Sequence, residues 1–92
     1  MIISFKDKDL KEFFETSKSA KVPSTLQKRL TGRLDILDQA TNLVDLSLPG
    51  FRCHPLNGFD PTRYAIDVNG AWRVTFEFSN GDASQVDLEQ YH

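Results

Sequence analysis

Two hydrophobic periods divide the chain. Up to about residue 40, apolar residues return every three or four positions; after Gly50 they return every second one. The first period marks one face of a helix, the second one face of a strand. The opening "IISF" is a short apolar run and predicts a first strand. Asp7 stands where its carboxylate can accept from the free N–H groups of a first helical turn, and Leu10, Phe13 and Phe14 share a face beyond it. "SKSAKVP" ends that helix. Pro23 suits the first turn of the next, and Ser24 with Gln27 fits a reciprocal capping box. Leu26, Leu30, Leu34 and Leu37 recur at helical spacing. They predict a second helix over residues 23–40, with a short turn through "TNLVDL" before "SLPG" breaks the chain.

Beyond Gly50, Tyr64, Ile66 and Val68 alternate, as do Trp72, Val74, Phe76 and Phe78, then Val86 and Leu88. These are three predicted strands, each with one apolar face, joined at "NGA" and "NGD". A two-residue Asn69-Gly70 turn would set Ile66 opposite Arg73 and mix the faces. A three-residue loop from Asn69 to Ala71 sets Val68 opposite Trp72, Ile66 opposite Val74 and Tyr64 opposite Phe76, and is preferred. The same reasoning over Asn80 to Asp82 sets Phe76 opposite Val86 and Val74 opposite Leu88. The expected class is α+β: an N-terminal strand and two helices packed on one face of a mainly antiparallel sheet of four to five strands.

The other sheet face is then polar. It sets Asp67 beside Arg73, Thr75 beside Asp87, and Arg73 beside Glu89. Tyr91 continues the odd-numbered series just past Glu89, and by alternation in "FRCH" Arg52 and His54 share a face. The closing "DLEQYH" is expected on the rim of an open, concave polar face.

Composition narrows this picture. Ninety-two residues predict one domain, 1–92, with one modest core. The single cysteine, Cys53, has no internal disulfide partner and no companions for a zinc site, which fits a reducing, cytoplasmic setting. No apolar run approaches the roughly 20 residues of a membrane span, and "MIISFKDKDL" lacks the apolar centre of a secretory signal. Net charge is −2, yet it is unevenly spread. Residues 1–33 hold eight basic side chains against four acidic, a balance of +4; residues 34–92 hold three against nine, a balance of −6. The plain reading is two solvated helix faces followed by an acidic remainder. The sharper one is a basic surface for a polyanion.

The titratable set near the polar face is His54, Arg73, Tyr91 and His92, with Asp67, Asp87 and Glu89. There is no Gly-rich phosphate loop, no Cys/His metal spacing and no arguable Ser-His-Asp order; no cofactor or metal is expected. The set suits cleavage of an RNA phosphodiester by its own 2′-hydroxyl. That reaction needs a base, a cation for the developing phosphorane charge and an acid for the leaving 5′-oxygen. Histidine titrates near neutrality, and arginine grips phosphate with two parallel bonds. Each residue also has a bland reading. His54 can simply end a strand before Pro55, Arg73 can simply pair with Asp67 or Glu89, and Tyr91 with His92 can be a frayed end. On pattern alone the chain is a small α+β domain with a polar, phosphate-suited face.

"RCHPLNG", then "AIDVNGAWRVTFEFSNGDA", then a terminal "YH" resemble the HigB-type toxins of the RelE superfamily. "MIISFKDKDLKEFFETSKS" and "RLDILDQAT" are similar to that family too, so the resemblance spans essentially the whole chain. It implies a RelE-like fold and a toxin of a type II toxin–antitoxin system that enters the ribosomal A site and cuts translated mRNA without a metal. It implies as partners the ribosome and mRNA, a HigA-type helix-turn-helix antitoxin, and operator DNA only through the toxin–antitoxin complex, with no membrane. By position it carries catalytic roles to His54, Arg73, Tyr91 and His92. RNA contacts are expected at Asn57, Lys18, Lys21, Lys28 and Gln90. Two positions depart: the family often has Lys where this chain has Asn57, and Asp where it has Gln90. Asn57 brings no charge and Gln90 cannot act as acid or base, which bears on the strength of catalysis. Rival readings are a toxin of this fold directed at another target, as the gyrase-directed members are, or a binding module that only meets an antitoxin.

Overall fold

The computed structural model describes residues 1–90. Helix α1 runs Lys8–Thr16 and α2 runs Gln27–Gln39; a 3₁₀ turn covers Leu43–Leu46. Four strands follow: β1 His54–Leu56, β2 Arg63–Asn69, β3 Trp72–Ser79 and β4 Asp82–Gln90. They form one sheet in the order β1-β2-β3-β4, every pair antiparallel. The helices bury one face of it. Leu10, Phe13, Leu26, Leu30, Leu34 and Leu37 join Ile66, Val68, Val74, Phe76 and Val86 in one core.

Asp7 caps α1 as expected, its carboxylate accepting from the Asp9 N–H. The start of α2 differs. Residues 23–26 form turns with tight i→i+3 bonds, Leu26 N–H to the Pro23 carbonyl and Gln27 N–H to that of Ser24. The α ladder begins only when Leu30 N–H reaches the Leu26 carbonyl. The capping box therefore does not form, and the Gln27 side-chain amide donates instead to the Val22 carbonyl. The leucine stripe is unaffected, because burial of the apolar face sets the helix more than its cap does.

The hairpins reach most of the expected pairings by another route, except that Trp72 faces Asn69 rather than Val68. Ile66 faces Val74, Tyr64 faces Phe76, and Val74 faces Leu88. However, each turn is a tight two-residue one, compensated by a bulge. Asn69 pairs with Trp72 across Gly70-Ala71, and the register shifts near Val68. Ser79 pairs with Asp82 across Asn80-Gly81, and the shift falls at Gln85-Val86, so both face Phe76. Asn80, Gly81 and Gln85 all take positive φ, at 54°, 82° and 50°. Asn-Gly is the preferred pair for a turn with two such residues. The bulge supplies the extra residue that returns apolar side chains to one face.

That bulge also changes the N-terminal segment. Residues 1–6 run parallel to β4 but touch it only in bridges, Ile2 with Ala83 and Phe5 with Val86, rather than as a regular strand. At the bulge, the Gln85 N–H turns to the Ser4 hydroxyl instead of a backbone carbonyl. No helix among the described residues is long and apolar enough to cross a membrane.

Candidate active site

Residues directly across an antiparallel pair point to the same side. The polar face therefore reads in rows across the strands. One row holds Leu56, Arg63, Glu77 and Ser84; the next His54, Ala65, Thr75 and Asp87; the third Asp67, Arg73 and Glu89. All three polar pairings expected from alternation are present. Tyr91 and His92 lie outside the described residues; they follow directly after Gln90.

His54 stands on edge strand β1. Its Nδ1 lies 2.7 Å from the Arg52 carbonyl oxygen. A carbonyl only accepts, so Nδ1 is the donor in this contact, and in the neutral imidazole Nε2 is then the acceptor. Arg52 presents that carbonyl because its backbone is left-handed, with φ 48°. Simple alternation through "FRCH" does not hold there, although the Arg52 guanidinium still reaches the polar face, 3.6 Å from the Asp67 carboxylate. Arg73 lies two strands from His54, roughly 10 Å across the sheet at normal strand spacing, between Asp67 and Glu89.

The middle of this face is not open. Thr75 is 0% exposed and Arg63 6%. Arg63 Nη2 donates to the Thr75 hydroxyl at 3.0 Å and to the Gln85 carbonyl at 2.9 Å, and Nη1 lies 3.6 Å from Glu77. Thr75 in turn donates to the Glu89 carboxylate. Beside it, burial and then the charge of Glu89 push the Asp87 carboxyl above its ordinary pKa. Sequence reasoning missed Arg63. The signal was its place in the odd-numbered series Arg63, Ala65, Asp67, against the apolar Tyr64, Ile66, Val68.

Of the residues expected to meet RNA, Asn57 is exposed just after β1. Gln90 pairs with Trp72, so it points to the Trp72 side of the sheet rather than into the polar rows. Lys18 and Lys21 are exposed between the helices, and Lys28 sits in the first turn of α2. Lys28 also lines a groove of about 500 Å³ with Thr25, Arg29, Gly32, Arg33 and Asn69. Arg29 and Arg33, one turn apart, donate to backbone carbonyls of the β2–β3 hairpin, Val68 at 3.2 Å and Asp67 at 2.9 Å. The Arg33 guanidinium also sits 4.3 Å from the Phe51 ring centre, and burial, then Arg29, lower its pKa. The i, i+4 spacing of Arg29 and Arg33 was the available signal for this site. Asn69 and Gln90 both neighbour Trp72, so the groove and the end of β4 share one end of the sheet. Among the described residues, no group of three or more His, Cys, Asp or Glu is placed to hold a metal.

A four-stranded antiparallel sheet with helices on one side, a His and Arg face on the other and a separate basic groove describes a small α+β protein. Sequence comparison makes this specific. Residues 3–92 match the HigB-like toxins, described as RelE-like toxins of the type II toxin–antitoxin system HigB. The chain is 40% identical over 92 residues, the full length of both proteins, to "Endoribonuclease HigB" of Proteus vulgaris. It is 34% identical over 93 residues, covering 99% of this chain and 98% of the other, to "Toxin HigB-1" of Vibrio cholerae serotype O1. The chain belongs to the HigB-like family of RelE-like toxins, and an antitoxin is its partner by membership of such a system.

Proposed function

We propose that this toxin is an endoribonuclease that cuts translated mRNA in the ribosomal A site by attack of a 2′-hydroxyl on the adjacent phosphate. The observation that carries the reading is the contact of His54 Nδ1 with the Arg52 carbonyl, which leaves Nε2 for substrate. His54, whose Nε2 accepts when the ring is neutral, stands on the same sheet face as Arg73, in a family whose Proteus relative is named an endoribonuclease. In the reaction, His54 Nε2 takes the 2′-hydroxyl proton. The 2′-oxygen bonds to phosphorus, and Arg73 holds the non-bridging oxygens as their charge grows. The bond to the 5′-oxygen breaks, and His92 supplies that oxygen's proton. The products are a 2′,3′-cyclic phosphate and a 5′-hydroxyl. Tyr91 orients or stacks on the cut nucleotide. No metal enters this scheme.

The ribosome supplies the positioning that a short chain lacks, and proximity is worth about 7–11 kcal/mol of barrier. Lys18, Lys21 and the groove at Lys28 are the surface for ribosomal RNA. A HigA-type helix-turn-helix protein is the antitoxin, operator DNA is reached only through that complex, and the site of action is the cytoplasm. The test is to incubate purified toxin with programmed ribosomes or with naked mRNA and map 5′ ends. Cleavage within the A-site codon, dependent on ribosomes and unaffected by EDTA at intact ribosomes, is expected. Rapid cutting of naked RNA, or loss on chelation, overturns it. A second reading, a toxin of this fold with reduced nuclease activity, rests on Asn57 and Gln90, which bring neither the charge nor the acid common in the family.

A further inference from the structure

We propose that Arg63 and Thr75 form a positioning relay that orients Glu89 and, through it, Arg73 and the strand end that leads into Tyr91. The proposal rests on the reading of Arg73 as the phosphate-binding group. Thr75 lies in the middle of β3, fully buried on the polar side of the sheet. A hydroxyl has one proton. Because Arg63 donates to the Thr75 oxygen, that proton is committed elsewhere, and it goes to the Glu89 carboxylate. Arg63 is itself fixed at both ends of its fork: the Gln85 carbonyl at the β4 bulge takes one bond, and Glu77 stands beside the other nitrogen. The direction of the whole chain, from Arg63 through Thr75 to Glu89, is thus set from the bulge. Glu89 is the residue directly across from Arg73 on β4, two positions before Tyr91. Thr75 thus fixes the orientation of the carboxylate of the residue that stands across from Arg73 in the register. Without that bond it is free to rotate, and Arg73 loses a fixed neighbour.

A purely structural role for this row predicts lost stability alone; a positioning role predicts a slower bond-breaking step at full occupancy. The experiment measures single-turnover cleavage on programmed ribosomes across a range of ribosome concentrations. Thr75→Val keeps the shape and removes the hydroxyl. It is expected to lower the saturating rate roughly 10- to 100-fold, the scale of a small misplacement of a reacting group, with half-saturation unchanged. Thr75→Ser restores the hydroxyl and is expected to restore the rate. Arg63→Lys keeps the charge but not the fork, and is expected to slow the saturating rate as well; it provides the reading if Thr75→Val does not fold. A wild-type saturating rate in folded Thr75→Val or Arg63→Lys overturns the relay. So does an equal loss in Thr75→Val and Thr75→Ser, or a change confined to half-saturation. Arg73→Ala, run in parallel, separates the two levels. If it cleaves normally, the reading of the face fails. If it is inactive while Thr75→Val is unaffected, only the relay fails.

Discussion

The polar sheet face and the α2 groove both carry arginines, but they hold them differently. On the sheet, each described arginine has acidic company: Arg52 near Asp67, Arg63 near Glu77, and Arg73 between Asp67 and Glu89 in the register. In the groove no lining residue is acidic, and Arg29 and Arg33 rest on backbone carbonyls. Carboxylates fix a guanidinium in place while cancelling much of its field. Carbonyls hold the guanidinium by its N–H groups without cancelling its net charge. One region fixes its guanidinium groups with little net positive charge, the other keeps its positive charge uncompensated by nearby lining residues. On the proposed function, a short acidic protein would in this way approach a polyanion with one surface and do chemistry with another.

The largest effects should come from breaking the first region. Arg73→Ala is expected to lower ribosome-dependent cleavage by about 10²- to 10³-fold, the usual cost of losing a stabiliser of developing charge, and deletion of Tyr91 and His92 by about 10²- to 10⁴-fold, the usual worth of general acid–base groups. The deletion should cost no more than about 1–2 kcal/mol in denaturant unfolding, since the Val74–Leu88 pair closes before it. Full toxicity in a folded deletion variant would place the active face elsewhere.

Breaking the second region should alter binding instead. Replacing Lys18, Lys21 and Lys28 with Glu is expected to weaken ribosome binding and flatten its salt dependence, because fewer counterions are released. Gly32→Glu makes the same test inside the groove. Nothing lies within 4 Å of a Cβ at Gly32, so the fold should tolerate it. Unchanged affinity across a salt titration, for both variants, would leave the groove a merely solvated surface.

A smaller effect would sharpen the comparison by moving the sheet face toward the family pattern. Asn57→Lys adds a cation beside the His54 strand and is expected to raise the cleavage rate several-fold. Gln90→Asp should raise it less, because position 90 faces the Trp72 side. No gain from either would show that the departures do not limit this enzyme.

The smallest effect concerns Asp87. Its folded pKa is raised, so the folded protein disfavours the charged form, and the penalty is present above that pKa. Asp87→Asn is therefore expected to raise Tm modestly at neutral pH. The gain should vanish as pH falls below the ordinary aspartate value of about 3.9, where folded and unfolded carboxyls are both protonated. An equal gain at acid and neutral pH would assign the effect to packing.

Much of this protein was legible as one-dimensional pattern. The leucines of α2, the cap at Asp7, the alternation of β2 to β4 and the pairing of Asp67, Thr75 and Arg73 with their cross-strand neighbours follow from two periods and one buried face. Burial makes every apolar position report on every other, so a pattern is enough to set class and register. Arg73 could be placed on the polar face for the same reason, whereas His54 joins it through the β1–β2 pairing.

Tertiary structure decided what no period carries. Tight turns with bulges replaced longer loops, since either route satisfies the same alternation and only backbone hydrogen bonding separates them. The left-handed Arg52 set its carbonyl against His54 Nδ1. Arg63 was buried and joined to Thr75 and Glu89 across three strands. Arg29 and Arg33 were brought to the β2–β3 hairpin more than thirty residues away. Hydrogen bonds are directional and reach about 3 Å. A sequence states which groups need partners, but only the packed chain brings those partners within that reach.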